Sequence, residues 1–465
     1  MIGLVTAVCA AMSGQAAGTA GPAVGRASGG PGEDPAAASA ARPPARGPDA
    51  RGPWLGGPRA SPASDCDSVT TCFTPLQIEE AYGFWPLLYN GIEGSGETVV
   101  LPELAEPQLL PPTITDIRQD LAGFDRRFDL PAPRLQVNTA FARGASPWLA
   151  YEEEVMDVEI VHAIAPGAAI TVVLLPSSSM TSSAGLTASL VGTLRLGTAS
   201  GDVISISEGV GESCFTAAQV ARLHAALRSA ARHQVTVVAS SGDTGPVANP
   251  CPSPLPLPQS SPLLEPILPA ADPLVLAAGG TSLSASHQSG AYIGEAAWSL
   301  PPVNSGVDTL ASGGGFSRVF ARPAYQNGVP GIRGGRGVPD VAADASGATG
   351  MALVLSEGRG RYIVSDSAGT SATAPLWAGL VADADQYAGH DLGFVNPALY
   401  GIARGPYYHQ AFHDITQGSS AVTIAPVTYT GYQAGPGWDP VTGWGSPDAQ
   451  VLVPLLASYS GPGQP

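Results

Sequence analysis

Short apolar runs alternate with helix-like stretches along most of this chain, and that alternation constrains its fold more than any other feature. Thr98–Leu101, Ala169–Leu175, Val203–Ser207, Val235–Ala239, Leu274–Ala278 and Met351–Leu355 read as strands, short and dominated by Val, Leu, Ile and Ala. Ile114–Leu121, Tyr151–Ile164, Ala217–Arg232 and Ala374–Tyr387 read as helices. Another helix starts after Thr74, a threonine cap followed by Pro75 at the first helical position. Strands without a polar face, separated by helical segments, imply an α/β domain with a mostly parallel central sheet and helices on both faces.

One junction in this pattern carries chemistry. The strand-like run Arg361–Val364 passes through Ser365-Asp366-Ser367-Ala368 into Gly369-Thr370-Ser371-Ala372-Thr373-Ala374-Pro375, and an apolar helical run, Leu376–Val381, follows. A serine placed there presents its hydroxyl at a turn, beside helix amides that have no intrahelical partner and can hold an oxyanion. A serine nucleophile needs a base, commonly histidine. All seven histidines are followed by Ala, Gln or Asp, so no His-Gly pair, the setting expected of a base beside such a serine, is present. A group other than histidine is expected to take the proton of Ser371.

The chain has 465 residues, 44% of them hydrophobic, enough for one large α/β domain or two small ones. No apolar run is long enough to span a membrane. The net charge is -17, and all 21 basic residues are arginine. That balance argues against nucleic acid as a partner. The lack of lysine excludes a lysine base, Schiff base or phosphate clamp. Such acidity suits a low working pH, where protonation relieves self-repulsion. Of five cysteines, Cys66 with Cys72 and Cys214 with Cys251 are expected to pair, leaving Cys9; no cluster suggests zinc. Ile2–Met12 resembles a signal-peptide core without a preceding basic residue, so residues 1–20 read either as a leader or as a disordered N-terminus behind a misplaced start; the whole pattern, more than this segment, points to a secreted protein. Residues 21–64, rich in Ala, Gly and Pro, cannot build a core and read as disordered. Residues 65–460 read as the folded domain.

Two further sites hold candidate acids. On a helix, Glu153, Asp157, Ile160 and Ile164 share one face, which the isoleucines mark as the buried side. Carboxylates continuing an apolar stripe are costly unless paired or functional. The helix dipole accounts for Glu152 and Glu154 in the first turn better than for that pair. Asp243 follows the strand Val235–Ala239 in Ser240-Ser241-Gly242-Asp243-Thr244-Gly245. It is either a turn residue or an acid at the carboxyl end of the sheet, where ligands collect in open α/β folds.

Taken together, these motifs resemble the sedolisins, serine-carboxyl peptidases with a subtilisin-like fold that use carboxylates where subtilisins use histidine. The ordered set is Glu153-x-x-x-Asp157 running into Ala163–Ala168, Ser241–Gly245, Gly369-Thr370-Ser371 with Pro375, and Asp414-Ile415 followed by Gly435-Pro436-Gly437-Trp438-Asp439. Ala277–Thr281, Ser312–Ser317 and Val338–Val341 match as well, so the resemblance covers about Cys66 to Pro454. It implies that Ser371 is the nucleophile, Glu153 the general base and Asp157 its proton-sharing partner. It places a protonated Asp243 in the oxyanion hole and Ser207, Gly209 and Gly242 on the substrate. One calcium ion is implied, held by the Asp414 and Asp439 side chains and the Ile415, Gly435 and Gly437 carbonyls. A monomer acting on peptides is expected, cutting internally or removing tripeptides.

The pattern departs from the family at two places. Sedolisins are usually made with a folded pro-domain, whereas about 65 mostly low-complexity residues precede this domain, so truncation or a different maturation is expected. Glu208, in Ser205-Ile206-Ser207-Glu208-Gly209, stands where an aromatic residue is expected. It reads either as an exposed edge charge or as a further carboxyl near Glu153 that alters the acid range or subsite preference. The rival to a peptidase is a catalytically inactive, calcium-stabilised binding domain on the same fold. A neutral subtilisin-type peptidase is disfavoured by the missing His-Gly.

Overall fold

The computed structural model describes residues 72–105, 115–197, 203–248, 251, 263–300, 309–358 and 360–460. The expected leader, the 21–64 stretch, Cys9 and Cys66 lie outside them. Eight strands form one sheet: β1 (Thr98–Ala105), β2 (Arg134–Asn138), β3 (Ala169–Pro176), β4 (Val203–Ile206), β5 (Thr236–Ser240), β6 (Leu276–Ala285), β7 (Tyr292–Ala297) and β8 (Val341–Asp344). Their order is β7-β6-β5-β4-β1-β3-β2, with β8 also paired to β6. Every pairing is parallel except that of β6 with β7.

Alternate side chains of each strand enter different cores. Val99, Leu101, Ile170 and Val172 lie in one cluster, and Val100, Val173, Ile204 and Val237 in another. The main helices are α1 (Pro75–Ala81), α2 (Ile117–Phe128), α3 (Glu152–Ile164), α4 (Ser183–Gly197), α5 (Ala217–Arg232) and α6 (Thr370–Ala388). α3 and α6 cover the first core, with Val155, Val161, Trp377 and Leu380 packed there. α4 and α5 cover the second with Leu186, Leu190, Leu223 and Leu227. α3 and α6 cross closely at Gly379, where a Cβ would lie 2.7 Å from Ile164 Cγ2. The doubly covered parallel sheet is the expected architecture.

Several expectations need correction. Ala352–Gly358 (β9) does not join the sheet; it pairs antiparallel with Arg361–Asp366 (β10) in a separate hairpin over α2 and α3. β1 runs on through Pro102 to Ala105, because its pairing with β4 ends at Val100 and one side of the ladder is already open there. The Ile114–Leu121 segment holds a short strand, Thr115–Asp116, and α2 starts only after Asp116, whose carboxylate accepts the Arg118 N–H. α6 begins four residues earlier than expected, at Thr370. α3 has no exposed side after its first turn: Glu154 to Ile164 are all buried, because α1, α2, α6, β1 and the hairpin pack around it. Glu154, read as a first-turn acid favoured by the helix dipole, is 2% exposed. The Cys214–Cys251 disulfide is present, and Cys72 is disulfide-bonded.

Candidate active site

The carboxyl ends of β4 and β5 and the amino ends of α3 and α6 meet at one place. Ser371 is the second residue of α6 and half-buried. The turn before it needs glycine: Gly369 has φ +86°, and a Cβ there would sit 2.8 Å from Asp243 Oδ2. Pro375 lies four residues after Ser371 inside α6, so the Ser371 carbonyl loses its helical donor. The Ser207 hydroxyl, just past β4, lies 3.5 Å from that carbonyl and donates to Asp157 Oδ2 at 2.7 Å. Ser207 therefore links Asp157 of α3 to the Ser371 backbone, and Ser240 Oγ in turn donates to the Ser207 carbonyl at 2.9 Å.

Asp243 is held by the residue next to Ser371. Thr370 N–H and Thr370 Oγ1 both donate to Asp243 Oδ1, at 2.8 and 2.7 Å. The Gly242 N–H donates to Thr370 Oγ1 at 3.0 Å, and the Gly242 carbonyl accepts the Gly313 N–H at 2.6 Å. Both backbone groups of Gly242 thus shape the turn. Oδ1 being occupied, Oδ2 is the oxygen of Asp243 that can carry a proton. Burial raises the Asp243 carboxyl above its ordinary range, against the lowering effect of the Thr370 bonds.

The α3 acids form part of a larger group. Burial, then the charges of Asp157 and Glu208, hold Glu153 well above the usual carboxylate range, while the Ser371 hydroxyl pulls it down. Burial pushes Asp157 up to about 7, opposed by hydrogen bonds from Ser207 and Glu103. Glu103, 3% exposed on β1, is raised by burial and by Asp157. Glu208 is 9% exposed and pushed up to about 7 by burial, so it is not an exposed edge charge. Four carboxyls this close cannot all ionise, so protons leave in steps that belong to the group. Glu103 was not read from the sequence as a site residue, and Thr370, quoted there only as part of the Ser371 motif, was given no role. The available signal for Glu103 was an acid in an otherwise apolar strand, hidden by taking Pro102 as the strand's end.

These raised acids fix how stability depends on pH. A carboxyl whose folded value exceeds its unfolded value binds its proton more tightly when folded, so it stabilises below the unfolded value and loses that contribution as pH rises through the folded one. Asp157, Glu208 and Asp344 are raised to about 7 and Glu154 to about 8. Thermal unfolding across pH is expected to give the highest Tm in acid and a falling Tm from about pH 5 to pH 8. A Tm that rises over that window would contradict the burial of these groups.

The C-terminal motif folds around its two acids. Gly437 N–H donates to Asp414 Oδ1 and Oδ2 at 3.0 and 3.2 Å, and Gly435 N–H donates to Asp439 Oδ2 at 3.1 Å. Asp439 Oδ1 accepts from Val441 and Thr442 at 2.8 and 3.0 Å. Asp439 is 5% exposed and burial pushes it up to about 6. Ile415 is buried beside them. Two carboxylates and three carbonyls are a hard oxygen set that fits calcium, and a carboxylate oxygen that accepts one amide keeps a lone pair for an ion.

No protein-family model matches the chain. Kumamolisin from Bacillus sp. (strain MN-32) is 34% identical over 407 residues, 84% of this chain and 65% of that protein. Human tripeptidyl-peptidase 1 is 31% identical over 274 residues, 55% of this chain and 43% of that protein. The chain thus spans just under two thirds of the first relative and less than half of the second. The structure of Pseudomonas sedolisin, a serine-carboxyl proteinase complexed with two molecules of pseudo-iodotyrostatin, superposes with a TM-score of 0.67 at 25% identity, covering 84% of this chain and 100% of that one. With the subtilisin-like sheet and the ordered motifs on it, these likenesses establish that the chain belongs to the sedolisin family.

Proposed function

We propose that this chain is a secreted, acid-acting serine-carboxyl peptidase that cleaves peptides as a monomer. The observation that carries this reading is the gathering of three acids around Ser371: Glu153 bonds its hydroxyl, Asp157 reaches its backbone carbonyl through Ser207, and Asp243 is held by Thr370 beside it. Ser371 Oγ attacks the peptide carbonyl carbon and its proton passes to Glu153, while the carbonyl electron pair moves to oxygen. The Ser371 N–H and the protonated Asp243 carboxyl donate to that oxyanion. Collapse expels the amine, which takes the proton from Glu153, and leaves an acyl-enzyme. Water repeats the sequence and frees the acid product. Asp157 shares the proton of Glu153 so that one negative charge serves the group. Ser207, Gly209 and Gly242 border the bound peptide.

A carboxylate is a weak base, and because the acids share protons the first one to leave the group supplies that base, which suits a working pH below neutrality. Asp414, Asp439 and the carbonyls of Ile415, Gly435 and Gly437 would hold one calcium ion, which supplies positive charge between the two loop acids. Among the described residues no helix is long and apolar enough to cross a membrane. The disulfide supports export.

Peptide hydrolysis by the purified protein from pH 3 to pH 8 tests the reading. Activity is expected to rise as the base ionises and to fall as Asp243 loses its proton. Asp243→Asn, which still accepts from Thr370 and keeps a donor, should retain part of the turnover and flatten the alkaline limb. Asp243→Ala should lose about 10²–10³-fold. Near-normal turnover in a folded Asp243→Ala protein would remove the electrophilic acid from the account. A folded wild-type protein inert at every pH would favour the binding-domain reading.

A further inference from the structure

A second acidic group lies at the opposite end of the sheet from Ser371. α6 starts at the carboxyl ends of the strands and runs back along the sheet, so Asp385, fourteen residues after Ser371, is about 20 Å from it along the axis. There it meets Glu97, which precedes β1, and Asp391 in the loop after α6. One carboxylate oxygen from each lies within 4.8 Å of the others. Asp385 is 1% exposed; its Oδ1 accepts the Leu392 N–H at 2.8 Å, and its Oδ2 is buried without a hydrogen-bond partner. The charges that reach Asp385 are those of Glu97 and Asp391, both negative. Asp385 also sits in the last turn of α6, where the helix dipole disfavours an anion and favours a cation. Burial raises the Asp391 carboxyl, against the lowering effects of a hydrogen bond with Glu97 and of the neighbouring His390.

We propose that Glu97, Asp385 and Asp391 bind a calcium ion that ties the C-terminal end of the nucleophile-bearing helix to the start of β1. The donors are all carboxylate oxygens, the hard ligands of Ca²⁺ or Mg²⁺. Oxygens about 2.3–2.6 Å from calcium lie at most about 5 Å apart across the ion, whereas magnesium, at about 2.0–2.1 Å, limits them to about 4 Å. Oxygens that all lie within 4.8 Å of one another are close enough to share one calcium ion. Two of the three acids are half-exposed, which leaves room for waters to complete the shell. The surrounding loop is already fixed: Gln386 Oε1 accepts the Glu93 and Ser95 N–H groups at 2.7 and 3.0 Å, and its Nε2 donates to the Gly91 carbonyl at 2.8 Å. This site shares no residue with the Asp414–Asp439 loop.

Equilibrium dialysis of the full chain against Ca²⁺ at pH 7 counts the ions. Glu97→Gln with Asp391→Asn alters only half-exposed positions and keeps their shape. The doubly substituted chain, confirmed folded by circular dichroism, is expected to bind one calcium fewer than wild type. In an Asp439→Ala background, the remaining ion should vanish when the same two substitutions are added. If that background does not fold, the comparison with wild type decides alone. Wild type binding one ion and the doubly substituted chain none would support this site while removing the one at Asp414. Equal calcium counts in wild type and the doubly substituted chain would overturn the proposal and leave the three acids sharing protons.

Discussion

Ser371→Ala is expected to lower turnover by about 10⁴–10⁶-fold, the scale on which a serine nucleophile is lost from a comparable catalytic group. Ser371 is half-buried at the start of α6 and its hydroxyl bonds Glu153, so its loss leaves the helix start, the Asp243–Thr370 bonds and the core untouched. Circular dichroism and the unfolding midpoint should therefore match wild type. Because one buried negative repeller loses only a hydroxyl neighbour, Glu153 should titrate still higher in the variant. Hydrolysis in acid that persists in a folded Ser371→Ala protein would assign the nucleophile elsewhere.

How much of this was legible in the sequence follows from the range of the interactions. The strands and helices of the sheet are local signals, and α5 was read to its end residues because Thr216 and Gln219 form a capping box. α4 was not seen: its Ser, Gly and Thr content is weak helical evidence, and packing of Leu186, Leu190 and Leu194 on the sheet overrides it. The β9–β10 hairpin looked like a sheet strand because an apolar run shows burial and not its pairing partner. Ser371, Glu153, Asp157 and Asp243 were legible as motifs. Their supports were not: Ser207 reaches Asp157 across 50 residues and Thr370 reaches Asp243 across 127. α3 misled in a different way, since a helix buried all round carries no amphipathic stripe. The stripe through Glu153 and Asp157 pointed to two acids that lie beside Ser371 and Ser207, while hiding Glu154 and Glu159, which are buried as well.

The central claim is that a carboxylate, and no histidine, takes the proton of Ser371. Among the described residues His162 contacts Asp125, His224 contacts Asp272, and His413 stacks on Tyr292. None of these bonds involves the Ser371 turn. Glu153→Gln keeps the volume and a hydrogen-bonding end group but removes the base, so kcat should fall by about 10³–10⁶-fold. The substitution also removes a carboxyl that burial holds well above its ordinary range, so the variant should lose less stability than wild type between about pH 5 and pH 8. The decisive measurement is kcat/KM against pH for wild type and Glu153→Gln on one peptide. The account predicts a wild-type bell on the acid side of neutrality and a Glu153→Gln protein that is folded yet depressed at every pH. A folded Glu153→Gln protein within about tenfold of wild type, with activity that climbs through neutral pH, would contradict it.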